Sequence, residues 1–206
     1  MSNDNVILSD LTVLNVGGYS KNIPIADCFT GWGHDLLDID PALNPDILCD
    51  ARELWRLPPR KYDAIYCSHN LEHYYYHDLS KVLKGFRTVL KKNGFAYIEV
   101  PDLLSAMKAV VEKGMDIEDV LYESQMGPIL VRDVIYGSHI VIENCENDFM
   151  LHKHGFTETS LSRTLLKNGF TYVYTGVAGL ATINAIAFIE KPSKWHIDLL
   201  HLKYDC

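Results

Sequence analysis

The 206-residue chain has no apolar run of the ~20 residues a membrane-spanning helix needs. Its opening "MSNDNVILSD" has neither a basic start nor a cleavable apolar stretch, so no secretion signal is expected. Cysteine is sparse: Cys28, Cys49, Cys67, Cys145 and Cys206 are odd in number and scattered. No two have the spacing of a zinc site, and no disulfide framework is implied. A reducing cytosol is the simplest home, so a cytoplasmic location is expected. Basic residues are also few, 19 against 27 acidic, for a formal charge of −8. That balance argues against a large phosphate-facing surface, so neither nucleic acid nor membrane is an expected partner. Internal repeats and low-complexity linkers are absent.

What is present reads as one α/β domain over residues 1–206, with 48% hydrophobic residues and length enough for a sizeable core. "LTVLNV" (11–16) is a short, β-branched apolar run that meets Gly17-Gly18, the pattern of a buried strand entering a tight turn. "HDLLDID", "YDAIYCS" (62–68) and "GFAYIEV" (94–100) are further strands. Between the last two, Leu79, Val82, Leu83, Phe86, Val89 and Leu90 recur at helical spacing. Asp78 is placed to cap this helix, Lys91 and Lys92 suit its negative end, and Gly94 follows as a stop. Strand, helix and strand with fully apolar strands imply a parallel crossover, and several such units a doubly wound sheet.

Residues 103–156 differ. Leu103, Met107, Val110 and Val111 fit a helix ending at Gly114; Ile117, Val120 and Leu121 fit another; "PILVRDVIYG" fits a third, from Pro128 to Gly137. The segment is expected to be a helical lid or substrate insertion. "ETSLSRTLLKNGF" then gives a helix closed by Gly169, and "TYVYT" and "INAIAFIE" an antiparallel edge pair. The tail from Lys191 is unassigned. The exposed edge and tail are compatible with a homodimer.

In open α/β sheets ligands bind at the carboxyl ends of the strands, where strand order reverses. Asn15, Gly17, Gly18 and Tyr19 follow the first strand, and glycine lets backbone N–H groups approach a ligand. Asp38 and Asp40 end the second, where a carboxylate accepts hydrogen bonds from ribose hydroxyls. Asp50, in "CDA", stands where an exocyclic adenine amine could be bound, and "SHNLEH" (68–73) follows the next strand. A glycine pair is more often a plain turn, and an acid at a strand end is usually a solvated terminus. The weight lies in the ordered set, each member at the end of its own strand.

The series "LNVGGYS", "HDLLDIDP", "PDILCDARELWRLP", "YDAIYCSHNLEH" and "LKGFRTVLKKNGFAYIEVPDL" resembles the class I S-adenosylmethionine-dependent methyltransferases, particularly the type 11 group. "HKHGFTETSLSRTLLKNGF" also looks like the late helix of a bacterial subgroup of predicted methyltransferases. The resemblance covers roughly residues 11–102 and 150–190. It implies a Rossmann-like, doubly wound, mostly parallel seven-stranded sheet with an antiparallel edge hairpin and the lid as an insertion. It implies S-adenosylmethionine as cofactor and S-adenosylhomocysteine as product. Gly17 and Gly18 would line the methionine part, and Asp38, with Asp40 as the alternative, would bind the ribose. Asp50 and the backbone of Ala51 would meet adenine, and Ser68 and His69 would flank the sulfonium. Where the family loop usually has an acid and a further glycine, this chain has Asn15 and Tyr19.

A sulfonium is already an excellent leaving group, so the protein needs mainly to align the reactants and exclude water. A hydroxyl acceptor also needs a base, and histidine titrates near neutrality. His69 with a lid histidine, His139 or His152, are the candidates; for each, a structural role is at least as common. His73 is expected to pack or cap, held by Glu72. Tyr74 to Tyr76 either line an acceptor pocket or form a loop wall. His69, His73 and His77 lie four apart, a metal stripe on a continuous helix, but a cap at Asp78 breaks it. No metal is expected, although "HKH" adds potential ligands nearby. The acceptor is expected to be a small molecule or glycan. Two other readings stand: a catalytically inactive methyltransferase-fold binding or regulatory protein, and a nicotinamide oxidoreductase, which lacks its G-x-G-x-x-G fingerprint here.

Overall fold

A computed structural model describes residues 7–124, 127–144, 148–179 and 181–202. Cys145 and Cys206 lie outside them, and Cys28, Cys49 and Cys67 are free thiols. The strands are β1 (Thr12–Val16), β2 (Gly33–Asp38), β3 (Ile47–Leu48), β4 (Tyr62–Ser68), β5 (Leu90–Pro101), β6 (Val120–Ser124), β7 (Gly127–Leu130), β8 (Tyr172–Ala178) and β9 (Thr182–Phe188). The α-helices are α1 (Leu79–Val89), α2 (Leu103–Lys113), α3 (Val131–Tyr136), α4 (His139–Glu143), α5 (Glu158–Lys167) and α6 (Lys194–Leu200). Seven strands form one sheet in the order β3-β2-β1-β4-β5-β9-β8. The first five are parallel, and β9 runs antiparallel to both β5 and β8.

The continuous apolar runs arise because the sheet is covered on both faces, and the period of two deals alternate residues to each. Leu14 and Val16 of β1, Ile65 and Cys67 of β4, and Ile98 and Val100 of β5 face one layer. There they meet Val82, Leu83 and Phe86 of α1 and Leu161 and Leu165 of α5. Val13, Ala64, Tyr66 and Phe95 face the other layer, where Phe29, Trp32 and Phe188 form an aromatic cluster. The Trp32 and Trp195 rings stack with centroids 6.2 Å apart, so α6, in the tail left unassigned above, covers this face. The β1–β2 crossover supplies Phe29 and Trp32, and its regular structure is one 3-10 turn, Asp27–Phe29.

Three expectations are corrected. Helix α1 ends at Val89, and Leu90 is already extended, paired with Tyr62. Lys91 and Gly94 therefore belong to β5 and cap no helix; Lys91 reaches Asp63 at 2.8 Å. Asp78 makes no side-chain cap bond and instead holds Lys81 at 2.8 Å and Arg52 at 3.4 Å. The 103–156 insertion is not wholly helical: Val120 and Leu121 lie in β6, which pairs antiparallel with β7, and Pro128 is a strand residue. The insertion has its own small core of Ala106, Ala109, Val131 and Val134, closed by Ala181. The chain leaves the sheet at Asp102 and returns at Phe156, and these two residues bridge each other. Asp102 also starts α2 by accepting the N–H of Leu104 at 3.0 Å, and Thr157 and Ser160 form a capping box on α5.

Candidate active site

Strand order reverses between β1 and β4, and the residues at the carboxyl ends of the first strands converge there. Gly17, Tyr19, Asp38, Asp40, Asp50 and His69 line one cavity of about 550 Å³. Its opposite wall comes from the insertion: Ile140 and Val141 of α4, then Phe149 and Met150. Five carboxylates (Asp38, Asp40, Asp50, Asp78 and Asp148) line it beside two cations, Arg52 and Lys153, so the cavity is acidic on balance.

The glycine turn is built around two asparagines. Gly17 has φ +70°, the left-handed region where a Cβ is penalised, and its N–H continues the sheet by donating to Leu37 O at 2.8 Å. A Cβ on Gly17 would meet Asn70 Nδ2 at 2.1 Å, and one on Gly18 would meet Asn15 Nδ2 at 2.1 Å. Asn15 is 2% exposed, and among the described residues its Oδ1 has no hydrogen-bond partner. It therefore supports the turn from below and does not line the cavity. Tyr19 adopts φ +59°, uncommon for a side-chain-bearing residue, and its side chain is exposed at the rim.

Asp38, at the end of β2, organises the next shell of backbone. Its Oδ1 accepts the N–H of Asp40 at 3.1 Å and its Oδ2 that of Tyr19 at 3.3 Å. A carboxylate offers about four lone-pair sites, so acceptor capacity remains for a pair of hydroxyls. Asp40 turns aside to cap the 3-10 turn Pro41–Leu43. Asp50 is more heavily committed: Arg52 reaches it through Nε at 2.9 Å and Nη2 at 2.5 Å, and through its own N–H at 2.9 Å. Any amine presented there competes with a bidentate guanidinium. Ala51 is buried at the start of the 3-10 helix Ala51–Arg56.

After β4, the N–H of His69 donates to Glu99 O at 2.9 Å, with φ +48°. Its ring is half-exposed on the cavity, with Nδ1 3.6 Å from Glu72 Oε1. Burial works against the imidazolium, but the Glu72 carboxylate outweighs it and raises the His69 pKa. Ser68 is directed away, donating to Glu99 Oε2 at 2.8 Å beside Tyr66 at 2.9 Å. His139 does not line the cavity: its Nδ1 lies 2.9 Å from Asp133 Oδ1. Nor does His152, whose Nε2 lies 3.9 Å from Glu72 Oε1 and whose pKa burial lowers. Tyr74 and Tyr75 do line it, and His77 stacks on Tyr75 with ring centroids 5.6 Å apart.

Sequence reasoning did not single out Asn70, Arg52 or the apolar wall of Ile140, Phe149 and Met150. Asn70 stood within "SHNLEH"; the others had no signal beyond their place in the insertion or after Asp50.

A family model described as a methyltransferase domain matches residues 7–175. Among solved structures, an S-adenosylmethionine-dependent methyltransferase from Archaeoglobus fulgidus aligns at TM-score 0.53 and 16% identity. That alignment covers 86% of this chain and 85% of that one. A Pyrococcus horikoshii protein aligns at TM-score 0.54 and 15% identity, covering 86% and 81%. The Burkholderia thailandensis 1,6-didemethyltoxoflavin-N1-methyltransferase, solved with 1,6-didemethyltoxoflavin and S-adenosylhomocysteine, aligns at TM-score 0.50 and 16% identity, covering 85% and 69%. No curated protein matches the chain. Among the described residues no helix is long and apolar enough to cross a membrane. With a methyltransferase-domain match running from before β1 into β8, over the seven-stranded sheet described above, the chain belongs to the class I S-adenosylmethionine-dependent methyltransferases.

Proposed function

We propose that this enzyme methylates a small, partly apolar molecule at a hydroxyl, in the cytoplasm, with His69 as the base. The supporting observation is that one cavity joins the strand-end carboxylates to the apolar wall of the insertion. Asp38 would hold the ribose hydroxyls, with the Gly17 turn beside the methionine part. Five acidic residues around the cavity suit a cofactor that carries a sulfonium. The cofactor supplies an activated methyl group, so the protein's work is alignment and exclusion of water. Ile140, Phe149 and Met150 exclude water and favour an acceptor with apolar surface over a glycan. Of the three candidate histidines, His69 alone lines the cavity, whereas His139 is bonded to Asp133 and the His152 ring is held by the Val134 carbonyl.

The test is S-adenosylhomocysteine release from purified protein supplied with S-adenosylmethionine and a panel of phenolic and aliphatic alcohols. Acceptor-dependent release is expected, with kcat lower by ~10²–10⁴ in His69→Asn while product binding holds within a few-fold. Release from amine acceptors alone, unaffected by His69→Asn, would overturn the hydroxyl and base assignments.

A further inference from the structure

Behind the cavity wall, Glu72 is 1% exposed, and among the described residues neither carboxylate oxygen has a hydrogen-bond partner. An ionised carboxylate buried without donors is strongly unfavourable unless a cation compensates it. Its backbone, by contrast, is well used: Glu72 O accepts the N–H of Lys153 at 2.8 Å and of His154 at 3.0 Å. The turn after β4 is thereby fastened to the returning limb of the insertion, which brings imidazoles around the carboxylate. His69 Nδ1 is 3.6 Å and His152 Nε2 3.9 Å from Glu72 Oε1, and the His73 and His152 ring centroids are 5.1 Å apart. Glu72, His73 and His152 each offer a ligand atom, all within 4.8 Å of one another.

Both rings are held by backbone carbonyls through Nδ1. His73 Nδ1 lies 3.0 Å from Leu151 O, and His152 Nδ1 lies 3.2 Å from Val134 O. A carbonyl only accepts, so both Nδ1 atoms are donors, and Nε2 is the ring atom left to meet an ion. Backbone carbonyls in this position fix the tautomer and orientation of metal-bound histidines.

We infer that Glu72, His73 and His152 bind a divalent transition-metal ion of the zinc class, which clamps the turn after β4 to the insertion. Two imidazoles and one carboxylate suit zinc and its neighbours; magnesium and calcium prefer oxygen alone. Bonds of ~2.0–2.2 Å draw the ligand atoms somewhat closer than they stand, a change within reach of side-chain rotation. The ion's charge compensates the carboxylate. Three protein ligands leave a position for water, and His73 also lines the cavity, so the ion sits one side chain away from the acceptor space.

The test is titration of the chelator-stripped full chain with Co²⁺, followed by displacement with Zn²⁺. One equivalent of Co²⁺ should bind saturably with visible d–d absorption, which Zn²⁺ abolishes and Mg²⁺ leaves unchanged. Zn²⁺ should also raise Tm. His152→Ala and Glu72→Gln should each weaken Co²⁺ binding at least 100-fold. His73→Ala, at a partly exposed ring, serves where Glu72→Gln fails to fold by circular dichroism. Absence of saturable one-equivalent binding to the native chain would overturn the site, and so would unchanged affinity in folded His73→Ala.

Discussion

Asp38 does two jobs with one carboxylate. It holds the Tyr19 and Asp40 amides and faces the cavity where a ribose would lie. Asp38→Ala is expected to weaken S-adenosylhomocysteine binding at least tenfold, about 1.4 kcal/mol, measured by calorimetry on folded protein. An unchanged affinity would move the ribose contact to Asp40. Gly18 makes a different kind of demand, because Asn15 occupies the space a side chain would need. Gly18→Ala should cost about 1–3 kcal/mol of stability, read as a lower urea midpoint at constant m. The glycines and acids were legible in the sequence because each follows a strand. Their partners were not: nothing local announces that Asn15 and Asn70 fill the glycine turn, or that Arg52 occupies Asp50. Glu72 is the sharpest case. In sequence it reads as a holder of His73; in the fold it is 1% exposed and its carbonyl receives the N–H groups of Lys153 and His154, far on in the chain.

At the level of elements, legibility followed length and periodicity. Strands β1, β4 and β5 announced themselves as apolar runs, β2 by the acids and proline that end it, and α1 as a helical stripe whose last member, Leu90, proved to be extended. The β6–β7 hairpin did not, because Ile117, Val120 and Leu121 fit helical spacing while a five-residue strand offers too few repeats to decide. Asp133 shows how the insertion is held together. It accepts the Leu130 N–H at 2.9 Å and binds the His139 ring, and burial, which alone would raise its pKa, is outweighed so that the pKa falls. A depressed carboxylate stabilises the fold above its unfolded pKa, ~3.9, and the contribution is lost as pH falls through the lower folded value. Urea midpoints measured from pH 7 to pH 3 should therefore fall less in Asp133→Asn than in the native chain, from a lower start at pH 7. Parallel curves would show that Asp133 contributes nothing through its charge. Phe156, fully buried where the insertion rejoins the sheet, should cost about 3–5 kcal/mol on truncation to alanine.

Across the whole molecule, the cavity is shared between two structural units: the strand ends supply its carboxylates and the insertion its apolar wall. A ligand that fills it touches both. Binding of S-adenosylhomocysteine together with acceptor should slow amide hydrogen exchange in α4 and residues 148–153 as well as in the turn after β1. Protection confined to the strand ends would mean that the insertion takes no part in enclosing the acceptor.

The bridge between Asp102 and Phe156 has an evolutionary consequence. The chain departs and returns through a doorway two residues wide, with Leu103 N–H donating to Phe156 O at 3.0 Å. A loop whose ends are already pinned together can double its length for only ~0.6 kcal/mol. Descendants of this chain can lengthen, shorten or replace the insertion while the sheet and its cofactor end stay as they are. With the insertion proposed to meet the acceptor, acceptor choice would be free to drift at a rate the sheet need not share.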